Sequence, residues 1–207
     1  IHGRDMSRPD LHARSGASPA AFSPVPRLIA GGVSLPVAAL AVAVVAGLAP
    51  LAPSVAVALM VPAAMIDLRQ RRIPDGWVIA ASVGLIAALS VDAAFGPAGE
   101  PATTIGGLLG GAAAMTLPLL VLHLASPRAM GFGDVKAGLV LGAAVGTIDW
   151  RLGTVALCIA AVSGAAIGVL GRCRTIPFGP FLVFGAWVVV LVGEPLIDVL
   201  FTGTSPR

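Results

Sequence analysis

A chain of 207 residues that is 57% hydrophobic and only 11% charged, with a mean hydropathy of +0.96, has too little polar surface to coat a soluble globule. Its net charge of +3 sits in short basic clusters between apolar runs, with no aromatic residues interleaved, which argues against a nucleic-acid stacking platform and for a role in membrane orientation. Tyr is absent, and 26 glycines replace bulkier side chains, as in membrane helices that pack backbone to backbone. The expected fold class is all-α, a polytopic bundle of membrane helices.

Residues 1–27, rich in Arg, Ser and Pro and lacking a helical apolar period, predict a disordered cytoplasmic tail. Seven apolar segments follow, near 28–49, 52–67, 77–95, 104–124, 133–148, 152–171 and 178–201, and then a C-terminal tail over 202–207. A spanning helix needs about 20 residues, so the second and fifth segments are short for the task. Each of those two also carries an aspartate at its end. The first segment follows several arginines, but its apolar run exceeds the roughly 7–15-residue core of a signal peptide. It predicts a membrane helix over 28–49, ahead of a membrane domain over 50–201.

Placing the N-terminus inside puts Arg4, Arg8, Arg14, Arg27, Arg69, Arg71, Arg72, Arg128, Lys136, Arg172 and Arg174 on the cytoplasmic side. Arg151 and Arg207 fall outside, so the bias is eleven against two among the 13 basic residues. Seven spans, N-terminus in and C-terminus out, is the arrangement expected. Asp67 then ends the second span going inward and Asp134 begins the fifth going outward. Both face the cytoplasmic boundary, although 67 residues separate them. Glycines recur every four positions at Gly106/Gly110, Gly107/Gly111, Gly138/Gly142/Gly146 and Gly164/Gly168, the faces on which helices approach closely in lipid. Bundle packing accounts for them, and such packing is what brings carboxylates from distant spans together.

Asp67 lies in Asp67-Leu68-Arg69-Gln70-Arg71-Arg72-Ile73-Pro74-Asp75, and Asp134 in Gly131-Phe132-Gly133-Asp134-Val135-Lys136. A carboxylate at a membrane boundary is costly to desolvate and marks a candidate functional site. Two that approach each other cannot both ionise cheaply, so they share a proton. One then accepts a proton from an attacking water while the other donates to the carbonyl or the leaving amine, which hydrolyses a peptide without a metal or a covalent intermediate. The helix dipole favours charge on Asp134 at a helix start and disfavours it on Asp67 at a helix end. Arg69, Arg71 and Arg72 push Asp67 the other way, so the roles of base and acid stay open.

Plainer readings stand beside these. Asp67 would pair with Arg71 at i, i+4 on a continuing helix, and Asp134 would be an N-cap. Gly131 and Gly133 permit unusual backbone angles and close approach of a substrate backbone. Lys136 points to another helix face and is a poor partner for Asp134, which leaves a lipid headgroup as its plainer contact. Asp75 reads as an N-cap before Trp77, and His123 as a packed or interfacial histidine. Cys158 and Cys173 are too few for a four-thiolate zinc site, and nothing marks them as a disulfide.

The joint pattern is more specific than either aspartate alone. Asp67 followed by a basic stretch and Ile73-Pro74, then Gly131-Phe132-Gly133-Asp134-Val135-Lys136, resembles the type IV prepilin peptidases, membrane aspartic proteases with a Gly-x-Gly-Asp motif. A third stretch, Ile176-Pro177-Phe178-Gly179-Pro180-Phe181-Leu182, is similar to that family's approach to its last helix. The resemblance implies that Asp67 and Asp134 are the catalytic pair, and that Pro74, Gly131, Gly133, Lys136, Pro177, Phe178 and Gly179 bind substrate or support the pair. It makes 50–201 a prepilin peptidase-like domain, multi-pass in the cytoplasmic membrane, with no cofactor and no metal. The implied partners are membrane lipid and the leader peptides of type IV prepilins or pseudopilins, cut after a glycine at the cytoplasmic face; nucleic acid is not among them. Longer members carry paired Cys-x-x-Cys motifs and methylate the new N-terminus. No such motif occurs in these 207 residues, so the resemblance implies a peptidase without the methyltransferase, similar to the enzymes of Flp-type pilus systems.

Two rivals are distinguishable. Presenilin-type proteases share Gly-x-Gly-Asp but place the first aspartate deep in a helix beside a tyrosine, and this chain has no tyrosine. A small proton-coupled transporter using the two aspartates as a relay would be expected to show internal repeats, and no convincing repeat is visible.

Overall fold

Proline and glycine mark some helix starts, Pro50 before Leu51 and Gly131 before Phe132, but Pro62, Pro118 and Pro195 lie inside helices. A computed structural model describes residues 36–47, 49–95, 105–127, 130–171 and 176–202. The helices are α1 (Pro36–Val45), α2 (Leu51–Gln70), α3 (Asp75–Phe95), α4 (Ile105–Ala125), α5 (Phe132–Gly146), α6 (Leu152–Gly171) and α7 (Gly179–Ile197). A single π-helical turn, Asp198–Thr202, extends α7. No strand occurs among the described residues, and the fold is an all-α bundle of apolar helices. The tail over 1–27, the start of the first apolar segment, Arg128, Cys173 and the end of the C-terminal tail lie outside the described residues.

By length and composition α2, α3, α4 and α6 can each cross a membrane, and α7 with its following turn can do so as one span bent by 85° between Gly193 and Pro195. The second segment is longer than 52–67. Helix α2 has 20 residues and continues past Asp67 to Gln70. It stops because Arg71 adopts the left-handed conformation, φ 51°, and donates its backbone N–H to the Asp67 carbonyl at 2.8 Å. This αL cap closes the helix one turn beyond Asp67 and turns the chain into Ile73-Pro74. Helix α5 stays short, at 15 residues.

Packing follows the glycines. Helix α4 lies against α5, α2 against α3 and α6 against α7, while α2, α5 and α7 also pack on one another pairwise. Along the α4–α5 seam a side chain at Gly111 would collide with the Gly142 carbonyl, and one at Gly146 with the Gly107 carbonyl, so the two backbones touch with nothing between them. Gly138 receives Leu119, and Gly168 receives Ile176. Met60, Met115, Leu141, Leu152 and Leu182 fill the interior. Ile79, Val83 and Ile86 on α3, and Leu109, Leu117 and Val121 on α4, are exposed and form an apolar surface suited to lipid.

The helices alternate in direction. This brings the end of α2, the start of α3, the start of α5 and the start of α7 to one end of the bundle.

Candidate active site

At that end lies a cavity of about 270 Å³, lined by Asp67, Arg71, Arg72, Ile73, Asp75, Gly131, Phe132, Gly133, Asp134 and Lys136. Asp67 and Asp134 both line it. Apart from Ser54, they are the buried polar side chains among the described residues, and the only buried charged ones. Ser54 is satisfied within its own helix by the Pro50 carbonyl at 2.6 Å. In a bundle this apolar, two buried carboxylates facing one cavity are costly to maintain, which marks the cavity as a candidate functional site.

The two are seated differently. Helix α5 begins after Gly131, which makes Asp134 the third helical residue. From that position its backbone N–H donates to the Gly131 carbonyl at 3.2 Å, and its carboxylate sits in the first turn, where the free amides and the helix dipole favour negative charge. Asp134 is therefore not the N-cap itself. Asp67 lies in the last turn of α2, where its own helix offers only carbonyls. Its Oδ2 instead accepts the backbone N–H of Gly179, the first residue of α7, at 3.2 Å.

The expected pairing of Asp67 with Arg71 does not form, because the left-handed turn at Arg71 ends the helix that would have aligned them. Among the described residues one ion pair exists, Lys136 Nζ to Asp75 Oδ1 at 2.9 Å. Lys136 thus binds protein across the cavity mouth, with Phe132 beneath its ammonium at 5.4 Å. Asp75 is the first residue of α3, and its carboxylate goes to Lys136.

Neither motif glycine has an unusual backbone angle, and only Gly133 is crowded enough to act by absence of bulk. Gly131 has an ordinary extended conformation, φ −73° and ψ 144°. Among the described glycines only Gly47 has positive φ. A side chain at Gly133 would press on Ile73 Cβ at 3.2 Å, so Gly133 lets the Ile73 turn lie on the start of α5.

Of the other expected residues, Pro74 lies between two cavity-lining residues without lining the cavity itself. Pro177 is half-buried ahead of α7, and Phe178 turns toward α6, where it meets Gly164. His123 is half-buried, and its Nδ1 donates to the Met130 carbonyl at 2.8 Å while its ring lies 5.5 Å from Phe132. It braces the loop before α5 and does not line the cavity. Cys158 is an exposed free thiol on α6. No group of three or more His, Cys, Asp or Glu side chains gathers as a metal site among the described residues.

Sequence reasoning missed Ile73 as a structural pin. It packs on Gly133 through Cβ and lies 3.2 Å from the side-chain direction of Gly179 through Cδ1. An isoleucine in an otherwise basic turn was the available signal.

These features define a multi-pass membrane helical bundle with a pair of buried carboxylates on one cavity. Residues 54–169, which include both aspartates and more than half of the chain, match the model of the Type IV leader peptidase family. The chain belongs to that family. It is 34% identical over 141 residues to a prepilin leader peptidase/N-methyltransferase of Xanthomonas campestris pv. campestris, covering 64% of this chain and 47% of that protein. A prepilin leader peptidase/N-methyltransferase of Pseudomonas putida is 31% identical over 139 residues, covering 64% and 46%. One of Burkholderia pseudomallei is 40% identical over 73 residues, covering 32% and 23%. The chain spans about half the length of the first two. No solved structure gave a significant match.

Proposed function

We propose that this chain is a membrane aspartic endopeptidase that removes the leader peptide from type IV prepilins or pseudopilins, with Asp67 and Asp134 as the catalytic pair. The observation that carries this reading is the meeting of the two buried carboxylates at one cavity. In the proposed reaction the pair holds one proton between them. The ionised member takes a proton from water as the water oxygen attacks the scissile carbonyl carbon. The protonated member gives its proton to the carbonyl oxygen, forming a gem-diol. One carboxyl then takes back a hydroxyl proton while the other protonates the departing nitrogen, the C–N bond breaks, and the pair again holds one proton. Activity therefore falls at both pH extremes, where the pair is doubly ionised or doubly protonated.

The positive-inside charge bias supports seven spans with the N-terminus and the dyad on the cytoplasmic side of the cell membrane. A leader at that face reaches the pair without crossing the bilayer. In this scheme Gly133 admits the Ile73-Pro74 turn against the pair, Gly131 seats Asp134, and Lys136 braces the mouth through Asp75. Pro177, Phe178 and Gly179 start α7 beside Asp67. The substrates in this reading include Flp-type prepilins.

The test is incubation of the purified chain in lipid with a panel of type IV and Flp prepilins. Cleavage is expected immediately after the leader glycine, mapped by N-terminal sequencing of the product. A well-folded chain that cleaves none of them contradicts the proposal.

A further inference from the structure

We propose that Gly179 is a positioning residue for the dyad: its backbone N–H fixes the Asp67 carboxylate in its working orientation, and its lack of a side chain is what allows the contact. This rests on the reading of Asp67 as one of the catalytic pair.

The backbone accounting at the start of α7 isolates the contact. The first N–H groups of a helix have no intrahelical acceptor and must find one elsewhere when buried. Pro180 has no N–H, and Phe181 and Leu182 both donate to the Phe178 carbonyl, at 3.0 and 3.1 Å. Gly179 is buried, and its N–H goes to Asp67 Oδ2 at 3.2 Å. The donor and acceptor are 112 positions apart, so the bond ties α7 to the last turn of α2.

Space decides the residue type. A Cβ at position 179 would lie 2.7 Å from Asp67 Oδ2, 3.2 Å from its Cγ and 3.2 Å from Ile73 Cδ1. The Asp67 side chain is buried, and Ile73 is held from behind by Gly133. Any side chain at 179 must therefore push the carboxylate aside or lift α7 off α2, and either movement removes the hydrogen bond. Asp134 is held by its own helix start, whereas Asp67 has no local donor. Gly179 makes the start of α7 the third structural part of the site, after the two aspartate-bearing helices.

The experiment uses the full chain in lipid nanodiscs with two changes at one position. Glycolic acid at position 179 converts the amide to an ester, deleting the N–H without adding a side chain; Gly179→Ala keeps the N–H and adds the Cβ. Circular dichroism checks folding. Leader cleavage gives kcat and KM, and infrared titration follows the Asp67 carboxyl, assigned as the band lost in Asp67→Asn. The ester is expected to lower kcat on the order of tenfold with KM unchanged, and to move the Asp67 titration to higher pH, because a carboxylate that loses a donor holds its proton more tightly. Gly179→Ala is expected to lower kcat further. A folded ester variant with wild-type kcat and an unmoved Asp67 titration overturns the proposal. A wild type that cleaves no prepilin would instead refute the peptidase reading, while the titration still decides the role of Gly179.

Discussion

The seats of Asp67 and Asp134 show two ways to keep a carboxylate inside a membrane protein. Asp134 is served locally, since it is the third residue of α5, in the first turn, where the free amides and the helix dipole favour a carboxylate. Asp67 sits at a helix end whose dipole opposes it, and it borrows an amide from the start of α7. The local seat survives as long as α5 begins where it does. The remote seat depends on α2 and α7 keeping their packing. Asp67 is thus the member of the pair more sensitive to distant change.

The comparison can be broken outright by removing either charge. Asp67→Asn and Asp134→Asn, each nearly isosteric, are expected to lower leader cleavage by roughly 10²–10⁴-fold with helical content unchanged by circular dichroism.

A change in the α4–α5 seam tests the packing of the helix that carries Asp134. A Cβ at Gly142 would meet the Gly111 carbonyl at 2.5 Å and Met115 Cβ at 2.9 Å. Gly142→Ala is expected to cost about 1–3 kcal/mol through overpacking, read as a lower unfolding temperature in detergent.

The two motif glycines sharpen the picture further. Gly133→Ala presses Ile73 at 3.2 Å, whereas a Cβ at Gly131 comes no nearer than 3.7 Å to Asp134 Oδ2, with an ordinary backbone. Cleavage is expected to drop several-fold in Gly133→Ala, by about 1 kcal/mol in the barrier, and to change little in Gly131→Ala. The reverse order would mean that Gly131 works through backbone freedom after all.

The smallest effect belongs to the exposed pair across the mouth. Lys136→Met or Asp75→Asn is expected to change stability by about 0.2–1 kcal/mol, and less at high salt, in denaturant titrations.

What was legible in the sequence was whatever is written locally. Apolar runs marked α3 to α7 to within a few residues, whereas the start of the segment over 28–49 lies outside the described residues, and Arg71 closed α2 by a left-handed turn that favours glycine and that no sequence signal announced at an arginine. Asp134 was legible because a Gly-x-Gly-Asp run at the start of an apolar segment places a carboxylate in the first helical turn. The facing of Asp67 and Asp134 followed from counting the segments between them. What stayed hidden was tertiary. The donor to Asp67 is a backbone amide 112 residues away, which has no side chain to advertise it. The partner of Lys136 is 61 residues away, in a different helix start. Gly133 makes room for Ile73, which lies on it from the turn after α2, a contact that spacing in the sequence does not show.

The central claim is that the two aspartates, 67 residues apart in sequence, act as one chemical unit. A double-mutant cycle on leader cleavage tests it most directly, comparing Asp67→Asn, Asp134→Asn and the double variant at one pH. Members of a shared-proton pair are not additive, so each single change should cost nearly the full effect and the double variant no more than either. Losses that multiply in the double variant would show two independent carboxylates and contradict the account.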